Sequence, residues 1–283
     1  MKIFDKKQDL KVYLSKLKAQ NKSIGFVPTM GALHDGHISL VKKAQRKNDV
    51  TVVSIFVNPT QFDQEEDLLK YPKTLEKDIA LLSDVHCDIL FNPSVAEIYS
   101  ESINAQEFDF DGLEHEMEGK FRKGHFNGVG TIVKTLFEVV EPDKAYFGQK
   151  DFQQLQIIKK MVKKHSLKVK IKGCSIFREN DGLAMSSRNS RLTSEERQEA
   201  PFIYKTLKKI KEKFNSDSIA EIEQWVTNEF SKQNLLKLEY FTIAEEKTLK
   251  TISKKDAKKK HRAFIAVFAG KIRLIDNIKL KIS

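Results

Sequence analysis

The chain has 283 residues, 40% of them hydrophobic and 9% aromatic, and a formal net charge of +11. That is enough apolar material for one large domain or two ordinary ones, and it excludes a disordered chain. No apolar run approaches the ~18 residues of a membrane span, and the polar, lysine-rich residues 1–10 do not read as a secretory signal.

Taken in order, Val12, Leu14 and Leu17 predict a helix over residues 9–20. Residues 23–28 read as a first strand. It enters the turn Met30-Gly31-Ala32-Leu33-His34-Asp35-Gly36-His37, after which Ile38, Val41 and Ala44 recur at helical spacing. Residues 50–57 are an almost unbroken β-branched run, the pattern of a buried parallel strand, ending at Asn58-Pro59-Thr60-Gln61-Phe62. A helix over 74–82 and a short buried strand over 87–91 follow, the strand stopped by Asn92-Pro93. Residues 94–123, acidic in their middle, read as an insertion with a short strand and a short helix. Residues 128–140 are helical by period, 144–147 a strand and Gly148-Gln149-Lys150-Asp151 its turn. Leu155, Ile158 and Val162 mark a helix, and 168–172 the last strand of this half. Strands alternating with helices predict a mostly parallel, doubly wound sheet.

The pattern changes near Phe177. Residues 178–190 read as a polar, glycine-containing loop. Thr193 and Glu196 fit a capping box, opening a helix that runs to about residue 214 with a bend near Pro201. A second helix covers 219–230. Residues 238–243, 263–269 and 271–277 read as strands of a small antiparallel sheet, the last two joined around Gly270. The expected division is therefore an α/β domain over 1–176 and a smaller C-terminal α+β domain over 177–283.

In a parallel sheet ligands bind at the carboxyl ends of the strands. The turn 30–37 sits there, and the helix end beyond it offers N–H groups and a partial positive charge suited to phosphate. That charge disfavours an imidazolium at His37, leaving it a neutral donor, whereas a bound triphosphate pushes the other way. A turn carrying two exposed histidines without a task stays open on these residues alone. Cys87 and Cys174 are far apart and lack metal-ligand spacing, which points to a reducing cytoplasm. The basic excess admits a nucleic-acid partner. Yet the lysines are spread along amphipathic segments, and no aromatic residue interleaves Lys258-Lys259-Lys260, so a solvated surface accounts for them.

The segment Pro28-Thr29-Met30-Gly31-Ala32-Leu33-His34-Asp35-Gly36-His37 resembles the signature of the pantoate–β-alanine ligase family. Its His-Asp-Gly-His part resembles the His-x-Gly-His turn of the wider nucleotidyltransferase superfamily. Asn58-Pro59-Thr60-Gln61-Phe62 resembles the family's second segment. Gly124-His125-Phe126-Asn127-Gly128-Val129 resembles its Pro-Gly-His-Phe-x-Gly-Val segment, with Lys123 in place of proline. Gly148-Gln149-Lys150-Asp151 resembles Gly-Glu-Lys-Asp, with Gln149 where glutamate is usual. Asp181-Gly182-Leu183-Ala184-Met185-Ser186-Ser187-Arg188-Asn189 resembles the family's ATP loop, a functional cousin of the Lys-Met-Ser-Lys-Ser loop of class I tRNA synthetases. The resemblance runs over essentially the whole chain and loosens after about residue 192.

The resemblance implies a Rossmann-like doubly wound parallel sheet with a C-terminal α+β lid. It also implies ATP-dependent joining of pantoate and β-alanine through pantoyl adenylate, releasing pyrophosphate and AMP. His37, His34 and Lys150 fall at catalytic positions. Met30, Gly31, Ala32, Leu33, His34, Asp35, Gly36, His37, Gly148, Gln149, Lys150, Asp151, Phe177, Met185, Ser186, Ser187 and Arg188 fall at ATP-binding ones. Gln61 and Gln154 match the substrate-binding glutamines, and His125 is left without a role. Mg2+ is the implied cofactor; its protein ligands are open, with Asp78 a candidate. A cytoplasmic homodimer with no nucleic-acid or membrane partner is implied. The alternatives are a nucleotidyltransferase acting on a small alcohol or phosphorylated substrate, sharing His34 and His37, and a basic nucleic-acid-binding module.

Overall fold

A computed structural model describes residues 1–63, 65–99 and 102–282. Its larger sheet contains β1 (Lys2–Phe4), β2 (Ile24–Thr29), β3 (Val50–Ile55), β4 (Ile89–Phe91), β5 (Lys144–Gly148) and β6 (Lys170–Cys174). All five pairings are parallel, in the order β1-β4-β3-β2-β5-β6. β3 is buried at all six positions, as its β-branched composition predicts for a strand covered on both faces. The strand order reverses direction between β2 and β5, which creates the crevice where ligands lodge in such sheets.

Pro28 sits inside central strand β2, where a missing N–H should break the ladder. The register removes the difficulty. β2 pairs with β3 along all six residues but with β5 only at Gly25 and Phe26. The two strands have parted before Pro28, and the parting opens the crevice. The helix Asp35–Gln45 packs on β2, β3 and β5, and Lys7–Ala19 packs against His125–Val140, which reaches β2. Val27, Val41, Val53, Leu82 and Leu90, all fully buried, belong to one continuous apolar cluster of this unit.

The second sheet is antiparallel, β7 (Leu236–Glu245), β8 (His261–Ala269) and β9 (Ile272–Leu280), in that order. Phe202–Lys213 packs on β8 and β9, and Ile219–Ser231 on β7. By contacts the chain forms two compact units, Met1–Gln149 with Gln153–Ser175, and Lys150–Phe152 with Ile176–Ser283. Among the described residues no helix is long and apolar enough to cross a membrane.

Three local expectations are corrected. β1 is an additional strand, pairing with β4 at the edge. The described part of 94–123 holds short helices, Val95–Ile98 and Glu118–Phe121, and no strand. The expected bent helix is two helices, Ser194–Glu199 and Phe202–Lys213, because Pro201 cannot donate back to the preceding turn. Residues 178–190 form the expected loop, ordered by an antiparallel bridge between Arg178 and Ala184 and by the 3-10 run Ser187–Arg191. The capping box at Thr193 and Glu196 is present in both directions, and a second joins Ser218 and Glu221.

Leu207 is fully buried in the core of the second unit. Leu207→Ala should lower the unfolding free energy by about 2–5 kcal/mol. Lys209→Ala, on the exposed face of the same helix, should change it by less than ~0.5 kcal/mol. Urea denaturation of the two variants measures the contrast.

Candidate active site

β2 ends in a turn with two consecutive residues in the left-handed region, Gly31 at φ 81° and Ala32 at φ 48°. Such a turn points successive N–H groups to one side, where they need an anion. Asp78, 1% exposed, supplies it from the helix Leu75–Asp84: Ala32 N–H donates to Oδ2 at 2.9 Å and Leu33 N–H to Oδ1 at 2.8 Å. Thr74 adds a hydroxyl bond to Oδ1 at 3.1 Å. A side chain at 31 would meet Asp78 Oδ2 at 3.0 Å and Ile55 at 3.1 Å, so the turn tolerates only glycine there. Asp78, the candidate metal ligand, is thus engaged as the turn's internal anion.

His34 caps the helix Asp35–Gln45. Its Nδ1 accepts from Gly36 N–H at 3.1 Å, a task usually given to serine, threonine, asparagine or aspartate. An accepting Nδ1 carries no proton, so the neutral ring holds its proton on Nε2. His37 lies one turn on, its ring centroid 4.1 Å from that of His34. Both imidazoles therefore stand at the amino end of this helix, with Asp35 in its first turn.

The turn after β3 is braced differently. Gln61 directs Nε2 to Met30 Sδ at 3.0 Å, bringing the second segment to the first. Its Oε1 accepts from Asn58 Nδ2 at 3.3 Å, and the same nitrogen donates to Gly128 O at 3.1 Å. Asn58 is 1% exposed, and its Oδ1 accepts from the Tyr99 hydroxyl at 2.6 Å. The helix His125–Val140 comes so close that a Cβ at Gly128 would lie 2.2 Å from Thr60 O. His125, without a role in the sequence, fixes the Gln61 main chain: its Nδ1 lies 2.7 Å from Gln61 O, and its Nε2 is 3.1 Å from Arg122 NH1. Arginine only donates, so Nε2 accepts and Nδ1 carries the proton to the carbonyl. Burial, and then the Arg122 charge, hold the His125 pKa down at about 4.

Gln154 is half-buried in the first turn of the helix Phe152–Lys164, beside a different glutamine. Gln153 is buried and accepts from Glu118 N–H at 3.0 Å while donating to Leu113 O at 2.8 Å and Glu116 O at 2.7 Å. Gly148 closes β5, and Gln149 follows it in the same unit.

The remaining predicted residues belong to the second unit. Lys150 has a largely covered side chain, its Nζ 3.5 Å from Asp151. Phe177 O accepts from Met185 N–H at 3.0 Å across the hairpin 177–185. Ser186 caps the 3-10 run, its Oγ accepting from Arg188 N–H at 3.3 Å, and Ser187 opens that run. Asn189 ties the run back by donating to Glu179 at 2.8 Å and to Ala184 O at 3.2 Å. Among the described residues no three His, Cys, Asp or Glu side chains group to hold a metal. Asn58, Arg122 and His125 are the supporting residues that sequence reasoning passed over; the motifs contained Asn58 and His125 but gave neither a partner.

The chain matches the family model described as pantoate-beta-alanine ligase over residues 2–279. It is 55% identical over 282 residues to a pantothenate synthetase of Flavobacterium psychrophilum, spanning 99% of this chain and 100% of that one. A pantothenate synthetase structure from Thermus thermophilus superposes with a TM-score of 0.91 at 38% identity, covering 99% of this chain and all of that one. A pantoate-beta-alanine ligase structure from Francisella tularensis, complexed with beta-gamma ATP and beta-alanine, gives a TM-score of 0.82 at 38% identity, covering 99% of this chain and 97% of that one.

Two outcomes follow from the braces. Asp78→Ala leaves two turn amides without acceptors, at about 1–3 kcal/mol each. Urea unfolding should therefore show a loss of about 2–6 kcal/mol, and Asp78→Asn about half of that. For His125 the folded pKa, about 4, lies below the ordinary 6.5. The unfolded chain therefore binds the proton first, and stability falls as pH drops from about 6.5 toward 4. The contribution is about 3 kcal/mol over that window. Stability measured against pH should lose this component of its slope in His125→Gln; an unchanged slope counts against the assignment.

Proposed function

The chain belongs to the pantoate–β-alanine ligase family, and on that premise we propose that it joins pantoate to β-alanine with ATP, through pantoyl adenylate. A pantoate carboxylate oxygen attacks the α-phosphorus, the bond to the β-phosphate oxygen breaks, and pyrophosphate leaves. The β-alanine amine then attacks the activated carbonyl, the bond to AMP breaks, and the amine releases one proton. A free carboxylate is a poor acyl donor, and AMP is a good leaving group.

The observation that carries this reading is the β2 turn, with both imidazoles at a helix amino end and Gln61 drawn against Met30. In-line displacement at phosphorus needs positioning and charge neutralisation more than a strong base. His34, with its proton on Nε2, donates a hydrogen bond to a phosphate oxygen, and His37 gives a proton on the pyrophosphate side. Main-chain groups of residues 30–37 line the nucleotide. Lys150 supplies a point charge, and Arg188 can hold two phosphate oxygens at once. Ser186 and Ser187 add hydroxyl donors; Gly148, Gln149, Asp151, Phe177 and Met185 complete the nucleotide contacts. Gln61 binds both organic substrates and Gln154 binds pantoate. The C-terminal α+β domain, 177–283, is proposed as a lid domain and 1–176 as the nucleotide- and pantoate-binding domain.

Mg2+ is the proposed cofactor; with no cluster of three His, Cys, Asp or Glu side chains among the described residues, its ligands would be phosphate oxygens and waters. It would supply neutralisation of the triphosphate charge. The enzyme is proposed to be a cytoplasmic homodimer; both cysteines are buried free thiols, as a reducing compartment allows.

ATP–pyrophosphate exchange tests the reading. Exchange should require pantoate and proceed without β-alanine. His37→Ala and Lys150→Ala should each slow it by about 10²–10³-fold. Exchange without pantoate contradicts the substrate assignment, and parental rates in both variants contradict the site.

A further inference from the structure

Lys150–Phe152 groups with residues 176–283 and not with its chain neighbours. The cause is a clamp from β9. Asn277, 2% exposed, donates Nδ2–H to Lys150 O at 2.8 Å. Its amide has one orientation, because Oδ1 accepts from Arg262 NH1 at 2.5 Å and an arginine only donates. Arg262 is itself buried and held by Glu246 at 2.8–2.9 Å. Its guanidinium lies 4.0 Å from the centroid of the Phe152 ring, which packs against Phe264 of β8. The three-residue segment is gripped at both ends, by its first carbonyl and by its last ring.

The neighbouring residue on β9 does a parallel task. Asp276, also buried, accepts from both terminal nitrogens of Arg178 at 2.6 and 3.0 Å. Arg178 donates further to Gly182 O at 3.0 Å and lies 3.6 Å from the Tyr204 ring centroid. It is the residue that bridges to Ala184, immediately before Met185 and Ser186. Adjacent β9 residues thus hold the root of the Lys150 turn and the root of the serine–arginine loop.

The geometry points to Asn277 as a positioning residue for Lys150, acting through the main chain of the β5 turn and oriented by Arg262. This rests on the reading of Lys150 as the lysine that meets phosphate. An ammonium on a four-carbon stem has only its backbone as a fixed point. Freeing that carbonyl lets the charge drift, and a displacement of about 1 Å is enough to slow an enzyme by about 10²-fold.

The test is a double-mutant cycle on pantoate-dependent ATP–pyrophosphate exchange. Asn277→Asp keeps the oxygen that Arg262 needs but offers no N–H to Lys150 O. It should lower kcat by about 10- to 100-fold with KM for pantoate unchanged. Lys150→Ala should be slower still, and the double variant should match Lys150→Ala within about twofold, because the clamp acts only through the lysine. Asn277→Ala, which leaves Arg262 on Glu246, repeats the cycle should the aspartate variant fold poorly. A parental rate in the Asn277 variants, or a further full drop in the double variant, overturns the inference while leaving Lys150 in the site. A parental rate in Lys150→Ala removes the lysine's assignment, and the inference with it.

Discussion

The carboxylate of Asp78 beneath the β2 turn is the contact on which the first unit's site geometry depends. Ala32 is held at φ 48°, a conformation that costs a non-glycine residue about 1–3 kcal/mol. Two hydrogen bonds to a charged acceptor return about 1.5–3 kcal/mol each, so the turn is favourable only while the Asp78 carboxylate is in place. With the turn set, the chain re-enters a helix at His34, whose cap fixes one imidazole and whose helix fixes the other. The identity of the anion matters. A carboxylate on a neighbouring helix satisfies the amides of Ala32 and Leu33 internally, and the helix amino end a few residues later has its own cap in His34.

The same physical solution recurs at each strand end that carries candidate chemistry. The site residue belongs to a short turn with no hydrogen-bond ladder, and a buried polar side chain from a distant element holds its main chain. His125 and Arg122 reach the Gln61 carbonyl, with Asn58 orienting the Gln61 amide. Asn277 reaches the Lys150 carbonyl. In each case the brace has its own partner that fixes its protonation or its amide orientation: Arg122 for His125, the Gly128 carbonyl for Asn58, Arg262 for Asn277. Loops on such scaffolds are precise because the polar atoms that would otherwise be unsatisfied are the ones that hold them.

This arrangement decides what was legible in the sequence. β3 was, since six consecutive buried positions leave a β-branched run. The candidate-site motifs were, since their residues are consecutive. β1 was not: three residues of mostly exposed edge strand have no period to detect. Residues 102–123 were not, because their order comes from elsewhere. Gln153 holds 113–118, and Lys160 and Lys164 pair with Asp109 and Asp111, which also disposes of the acidic run as a feature in itself. The braces were invisible for the same reason. Asp78 lies 45 residues from Leu33, His125 lies 64 from Gln61, and Asn277 lies 127 from Lys150. No local pattern connects such pairs.

Gln153 and Gln154 show how finely structure and candidate chemistry are divided. Read as a pair they look redundant. Successive helical residues diverge by about 100° around the axis, so the two amides cannot serve one task. Gln153 turns inward and spends both amide N–H groups and its oxygen on three main-chain groups of 113–118, a set that no carboxylate or aliphatic side chain could match. Its neighbour sits half-buried on another face. The first turn of one helix therefore fastens the insertion with one glutamine and presents the next toward solvent, and a register change of one residue would exchange the two. The short 3-10 run Gln149–Asp151 leads straight into this helix. Asn277 Nδ2 donates to the Lys150 carbonyl within that run.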